Sequence, residues 1–227
     1  MNTKNVLVFV LATIFFMTMG DESAKYYIPE HNVLKLYQLM KDVHEILEKN
    51  NIPYWVHAGT LIGVVRHMGL IPWDDDLDIA IDINNEQDLL QIFPEIKKLG
   101  YFIIEHRYYH QYAIHFIGDL SIGLDIMCLV KNNNGEYCYS KEWEDMHQGY
   151  FFKTEELFPL QICQFGGIQV FGPKNPIPFL NRSYKDWNLY AIMYNHHTLG
   201  SQKVLLTDNL RNPAKPMGPL QDRVSKN

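Results

Sequence analysis

From Pro72 to Ile83 the chain reads PWDDDLDIAIDI, and this run constrains the fold more than any other. Leu77, Ile79, Ile81 and Ile83 alternate with a period of two, the pattern of a strand with a buried face. Asp74, Asp75, Asp76 and Asp78 place four carboxylates in five positions at its start. Like charges this close do not all stay ionised and unpaired in a folded protein, so the sequence predicts a divalent cation among them. In an extended chain Asp74, Asp76 and Asp78 project to one side and Asp75 to the other. Asp76 and Asp78 are therefore the expected metal ligands, with Asp74 behind them and Asp75 turned away. Mg²⁺, or Mn²⁺ in its place, takes few protein carboxylates and keeps positions for water and substrate phosphates.

Competing readings of the acidic run are weaker. A calcium loop starting at Asp74 needs Gly at its sixth position and Glu at its twelfth, where this chain has Ile79 and Asn85. A glycosidase uses two separated carboxylates flanking a sugar ring. A solvated acidic tip does not suit such apolar flanks.

Upstream, Gly59 and Thr60 follow a short strand over Tyr54–His57 and open a helical turn. Backbone N–H groups and a hydroxyl at such a turn suit an anion, with Arg66 and His67 adding positive charge nearby. Taken alone, Gly-Thr is an ordinary turn with an N-cap.

The rest of the chain supplies the frame. Val33, Leu36, Tyr37, Met40, Val43, Ile46 and Leu47 mark an amphipathic helix that stops at Asn50, Asn51 and Pro53. A second helix, capped by Asn84 or Asn85, carries Leu89, Leu90, Ile92, Phe93 and Ile96 to Gly100. Tyr101–His106, Gln111–Ile117 and Ile122–Val130 read as strands, as does a short run at Ile168–Phe171 before a helix with Phe179, Leu180 and Tyr184. Helices and strands mix without strict alternation. The expectation is an α+β fold, a mixed β-sheet with flanking helices, over residues 26–197. Residues 198–227, rich in Gly and Pro, read as an irregular tail.

Val6–Met19 is an apolar run of signal-peptide length, so residues 1–20 read as a signal peptide or signal anchor and place the protein in the secretory pathway or outside the cell. Only an uncleaved anchor would attach it to a membrane. A formal charge of −6 leaves no basic surface for a nucleic-acid polymer. Three cysteines are too few for a disulfide scaffold. A hairpin turning at Asn132–Gly135 would set Cys128 opposite Cys138, with free buried thiols the equal alternative.

HAGTLIGVVRHMGLIPWDDDLDIAI resembles the signature of the LicD family, which includes bacterial phosphocholine transferases and the animal fukutin and fukutin-related proteins. A looser likeness runs from Phe158 to Trp187, where Lys185 stands in place of the usual Gly. The resemblance implies a nucleotidyltransferase-like fold in which Gly59 and Thr60 hold donor phosphate and Asp76 and Asp78 bind Mg²⁺. Asp74 matches a further acidic position, and Asp125 is the candidate third carboxylate, as metal ligand or as base. Arg66 and Lys174 are candidate phosphate partners, and Trp73 and Tyr184 candidate stacking residues. The implied reaction moves a phospho-alcohol from a CDP-activated donor to a glycan hydroxyl. Plain nucleotidyl transfer, and a glycan-binding module without activity, are the alternatives.

Overall fold

The computed structural model describes residues 25–140, 149–195, 200–216 and 218–222. The apolar N-terminal run lies outside them. Among the described residues no helix is long and apolar enough to cross a membrane.

Helix α1 (Glu30–Lys49) buries Val33, Leu36, Tyr37, Met40, Val43, Ile46 and Leu47, the face expected from their spacing. Strand β1 (Tyr54–Val56) leads into the short helix α2 (Ala58–Ile62) and a π-helical turn over Gly63–His67. Strand β2 (Asp76–Asp82) follows, then helix α3 (Glu86–Lys98). No side chain of Asn84 or Asn85 caps α3; the Asp82 carboxylate accepts the Asn84 N–H at 2.9 Å and turns the chain instead.

Strands β3 (Tyr101–His106), β4 (Gln111–Phe116) and β5 (Asp119–Lys131) complete the main sheet in the order β1-β2-β5-β4-β3. Strand β2 pairs with β5 in parallel, whereas β1–β2, β4–β5 and β3–β4 are antiparallel. The sheet is therefore mixed, with α1 against it, and β2 and β5 form its buried centre: Leu77, Ile79, Ile81, Leu124, Ile126 and Leu129 are fully covered. This is the α+β architecture expected from the sequence.

Strands β6 (Glu136–Cys138) and β7 (Phe151–Lys153) extend the far end of β5, followed by helix α4 (Thr154–Leu157). The β5–β6 register sets Val130, not Cys128, opposite Cys138, because the turn is centred on Asn134, where the Asn132 N–H donates to the Glu136 carbonyl at 2.8 Å, one residue later than that pairing requires. All three cysteines are free thiols. Strands β8 (Gln161–Phe165) and β9 (Ile168–Gly172) form a hairpin ahead of helix α5 (Ile177–Ser183).

The segment expected as an irregular tail contains a strand. Tyr190–Asn195 (β10) and Gly200–Leu205 (β11) pair antiparallel. The chain then returns across α1: the Ala214 N–H donates to the Leu70 carbonyl at 2.9 Å, and the Gln221 N–H donates to Gln38 Oε1 at 2.6 Å.

Candidate functional site

The sheet register builds the site. Asp76 aligns with Gly123 and Asp78 with Asp125 on the adjacent parallel strand. Residues two apart on β2, and residues paired in register across β2 and β5, share one face of the sheet. Asp76, Asp78 and Asp125 thus project together, Asp125 being the residue that the family resemblance suggested as a third carboxylate. Its Oδ2 accepts a hydrogen bond from Gln111 Nε2 at 2.8 Å.

Strand geometry misplaces Asp75. Regular extended backbone begins only at Asp76, so alternation does not apply to the two residues before it. One carboxylate oxygen from each of Asp74, Asp75 and Asp76 lies within 4.8 Å of the others. Asp75 joins the cluster instead of turning away.

Gly59 and Thr60 hold Asp78. The antiparallel ladder ends at Val56 opposite Ile79, which delivers the following turn alongside Asp78. The His57 N–H donates to the Asp78 carbonyl at 3.0 Å, the Asp78 N–H donates to Thr60 Oγ1 at 2.7 Å, and the Gly59 N–H donates to Asp78 Oδ2 at 3.0 Å. A Cβ on Gly59 would stand 2.9 Å from Asp74 Oδ2 and 3.3 Å from Asp78 Oδ2. The missing side chain leaves a hollow bordered by two carboxylates.

These carboxyl groups hold protons more tightly than isolated ones. Burial raises the pKa of Asp74 well above the ordinary carboxylate value, and the charges of Asp76, Asp78 and Asp75 push it further. Burial does the same to Asp78, reinforced by Asp76 and Asp125. Asp76 and Asp125 are raised mainly by burial, Asp76 also by the charges of Asp75 and Asp125. An all-oxygen donor set bordering a hollow, with each charge destabilised by the next, suits a hard divalent cation.

Two cavities meet at this cluster. A cleft of about 780 Å³ is lined by Gly59, Arg66, Trp73 and Asp74–Asp76 on one wall and by Tyr184, Lys185, Trp187, Tyr190 and Lys203 on the other. A pocket of about 340 Å³ is lined by His106, Gln111, His115, Ser121 and Asp125, and shares Asp75 and Asp76 with the cleft. Trp73 and Tyr184, the expected stacking residues, both line the cleft. Lys174 is exposed and lines neither cavity.

Arg66 lines the cleft while joining its two walls. Its Nη1 donates to the Trp187 carbonyl at 2.6 Å and to the Tyr190 carbonyl at 3.5 Å, and its Nε donates to His67 Nε2 at 2.9 Å. Burial and the neighbouring Arg211 lower its pKa to about 10, so it remains charged at neutral pH. Burial and the Arg66 charge lower the pKa of His67 to about 4, so His67 is neutral and accepts from Arg66.

Apart from Tyr184, the cleft's second wall escaped the sequence, as did the histidines of the smaller pocket. Tyr190–Ile192–Lys203 is brought together only by the β10–β11 pairing, in which Ile192 sits opposite Lys203. His106 ends β3 opposite Gln111, and His115 pairs with Gly123, where a Cβ would meet the imidazole at 2.7 Å. Neither β3 (YFIIEH) nor β4 (QYAIHF) alternates in polarity, so no periodic signal marked these positions.

A model described as the LicD/FKTN/FKRP nucleotidyltransferase domain matches residues 51–175. An uncharacterized protein of Rickettsia prowazekii is 42% identical over 220 residues, covering 92% of this chain and 80% of the relative. The lipopolysaccharide cholinephosphotransferase LicD of Haemophilus influenzae is 40% identical over 50 residues, covering 22% of this chain and 19% of the relative. The ribitol 5-phosphate transferase FKRP of Mus musculus is 24% identical over 182 residues, covering 76% of this chain and 36% of the relative. The matched region runs from the end of α1 through the acidic cluster to the turn before α5. The chain belongs to the LicD/FKTN/FKRP family.

Proposed function

We propose that this protein is a Mg²⁺-dependent phosphotransferase that moves a phospho-alcohol from a CDP-linked donor to a glycan hydroxyl. The observation that carries the reading is a carboxylate cluster, Asp74, Asp75 and Asp76, of which Asp75 and Asp76 stand where two cavities meet, with Asp78 and Asp125 in register beside Asp76 on the same sheet face. The transfers named in two relatives, of choline phosphate and of ribitol 5-phosphate, support the class of group moved.

Asp74, Asp76 and Asp78 would hold the cation. When bound, Mg²⁺ would neutralise the diphosphate and the charge developing on the leaving group. Gly59 and Thr60 fix the Asp78 carboxylate and backbone, so that ligand is oriented before substrate arrives. Asp125, steadied by Gln111, is the group that accepts the acceptor's proton. The acceptor oxygen bonds to the phosphorus bearing the alcohol, the bridging P–O bond breaks, and CMP leaves with that electron pair. Aromatic and apolar side chains around the cleft limit water as a competing acceptor.

A thermal-shift screen tests the donor. CDP-choline, CDP-ribitol and CDP-glycerol, each with and without Mg²⁺, should include one that raises the melting temperature only with the metal, because a ligand of the folded state stabilises it by mass action. Equal shifts with and without Mg²⁺ would remove the metal from the reading.

A further inference from the structure

The two cavities differ in chemistry. The larger has three cationic side chains, Arg66, Lys185 and Lys203, and four aromatic ones, Trp73, Tyr184, Trp187 and Tyr190. The smaller has no lysine or arginine; its polar lining is His106, Gln111, His115, Ser121 and the carboxylates. The diphosphate of a CDP-linked alcohol brings two negative charges to a cation whose charge the surrounding carboxylates already offset, so it calls for further cationic side chains, and it brings a base and a ribose to cover. The cationic, aromatic cleft offers both, and its size is within the usual range for such ligands, roughly 300–1,000 Å³. The smaller pocket suits a neutral hydroxylated group.

Position agrees with chemistry. Displacement at phosphorus sets the attacking and leaving oxygens roughly in line, on opposite sides of the phosphoryl group. Asp75 and Asp76 stand where the two cavities meet, so a phosphoryl group beside them has the large cleft on one side and the small pocket on the other. Asp125, the candidate base, lies in the small pocket.

We infer that the site is polar in this sense: the nucleoside diphosphate of the donor lies in the large cleft against Lys185 and Lys203, and the acceptor hydroxyl enters through the pocket of His106 and Asp125. Both lysines lie beyond residues 51–175, the stretch that the family model matches. Lys203 is held ready there: its Nζ is 3.4 Å from Asp186 Oδ2 and 4.2 Å from the centre of the Tyr190 ring. Arg66 ties that wall to the core through the Trp187 and Tyr190 carbonyls. The inference rests on the proposed CDP-linked donor.

Calorimetric titration of CDP in Mg²⁺ into the whole protein tests it. Lys185, Lys203 and His106 are all exposed, so their alanine variants keep the fold. Lys185→Ala with Lys203→Ala should weaken CDP binding about tenfold or more, the scale of losing charge-assisted contacts to phosphate. His106→Ala should leave CDP affinity within about twofold, a difference well under 1 kcal/mol. Loss of affinity in His106→Ala with none in the lysine variant overturns the assigned direction and leaves the CDP donor standing. Affinity indifferent to all three changes overturns it as well. A wild-type protein that binds no CDP with Mg²⁺ overturns the donor reading itself, and the inference with it.

Discussion

Gly59 and Asp78 are fitted to each other: the Gly59 N–H donates to Asp78 Oδ2 at 3.0 Å, and a side chain on Gly59 would stand 3.3 Å from that same oxygen. The glycine is a donor and a hollow at once. Gly59→Ala should push the Asp74 carboxylate aside, since it lies only 2.9 Å from the added carbon. The displaced group is the end of a side chain, so the cost to stability is small. Expected are a melting temperature within about 4 °C of wild type, the change that roughly 1 kcal/mol produces in a domain of this size, and a Mg²⁺ affinity reduced at least tenfold. Calorimetric metal titration beside a melting curve separates the two.

Thr60 has the complementary role. Its hydroxyl accepts the buried Asp78 N–H at 2.7 Å, and Thr60 is itself buried. Thr60→Val keeps the shape and orphans that donor, a loss of about 1–3 kcal/mol. Thr60→Ser should restore most of it. Chemical denaturation of both variants measures the difference; equal stability of the two would show that the hydroxyl contributes nothing.

Tyr37 joins three parts of the chain through one oxygen. It accepts the Leu70 N–H at 2.9 Å and donates to the Ala214 carbonyl at 2.8 Å, linking α1 to the loop before β2 and to the returning C-terminal segment. Tyr37→Phe leaves the ring's packing intact and orphans both groups. A loss of about 1–3 kcal/mol is expected, with faster amide exchange at Leu70.

Glu156 gives the fold an acid-sensitive point. Burial raises its pKa, but the hydrogen bonds from Arg182 and the Lys153 N–H, together with the Arg182 charge, outweigh burial and hold the carboxyl below its usual 4.5. Arg182 grips it with Nη1 at 2.9 Å and Nη2 at 2.6 Å. A depressed carboxylate pKa stabilises the folded state fully above the unfolded value and progressively less as pH falls through the folded one. Wild type should therefore lose this contribution below about pH 4.5, whereas Glu156→Gln should lack it at pH 7 and show a flatter decline. Melting temperatures from pH 7 down to pH 3 decide the matter.

Regular periodicity made the frame legible. The apolar positions of α1 and the alternation in β2 follow from repeat spacing alone, and the buried sheet centre confirms both. Asp125 was named because the family resemblance implied a third carboxylate on a neighbouring strand, and it is the lone carboxylate between Leu124 and Ile126. Asp75 was misread because parity holds only where the backbone is extended, and that begins one residue later. The Cys128–Cys138 pairing failed on register, which depends on the residue at which the turn is centred, here Asn134 and one later than that pairing requires. The β10–β11 pairing was missed because Gly200 and the prolines after it made the segment read as irregular, and its lysine reaches the cleft only through cross-strand pairing. What sequence conceals here is long-range assembly.

The most direct measurement is product analysis by phosphorus NMR with a CDP-linked alcohol, Mg²⁺ and a glycan acceptor, comparing wild type with Asp76→Asn and Asp78→Asn. The account expects CMP and a phosphodiester on the acceptor from wild type, loss of both on chelation, and at least a hundredfold loss in either variant while both remain folded, the scale of removing a preorganised electrostatic group. CMP release undiminished in the folded variants, or the nucleotide itself attached to the acceptor, would contradict it.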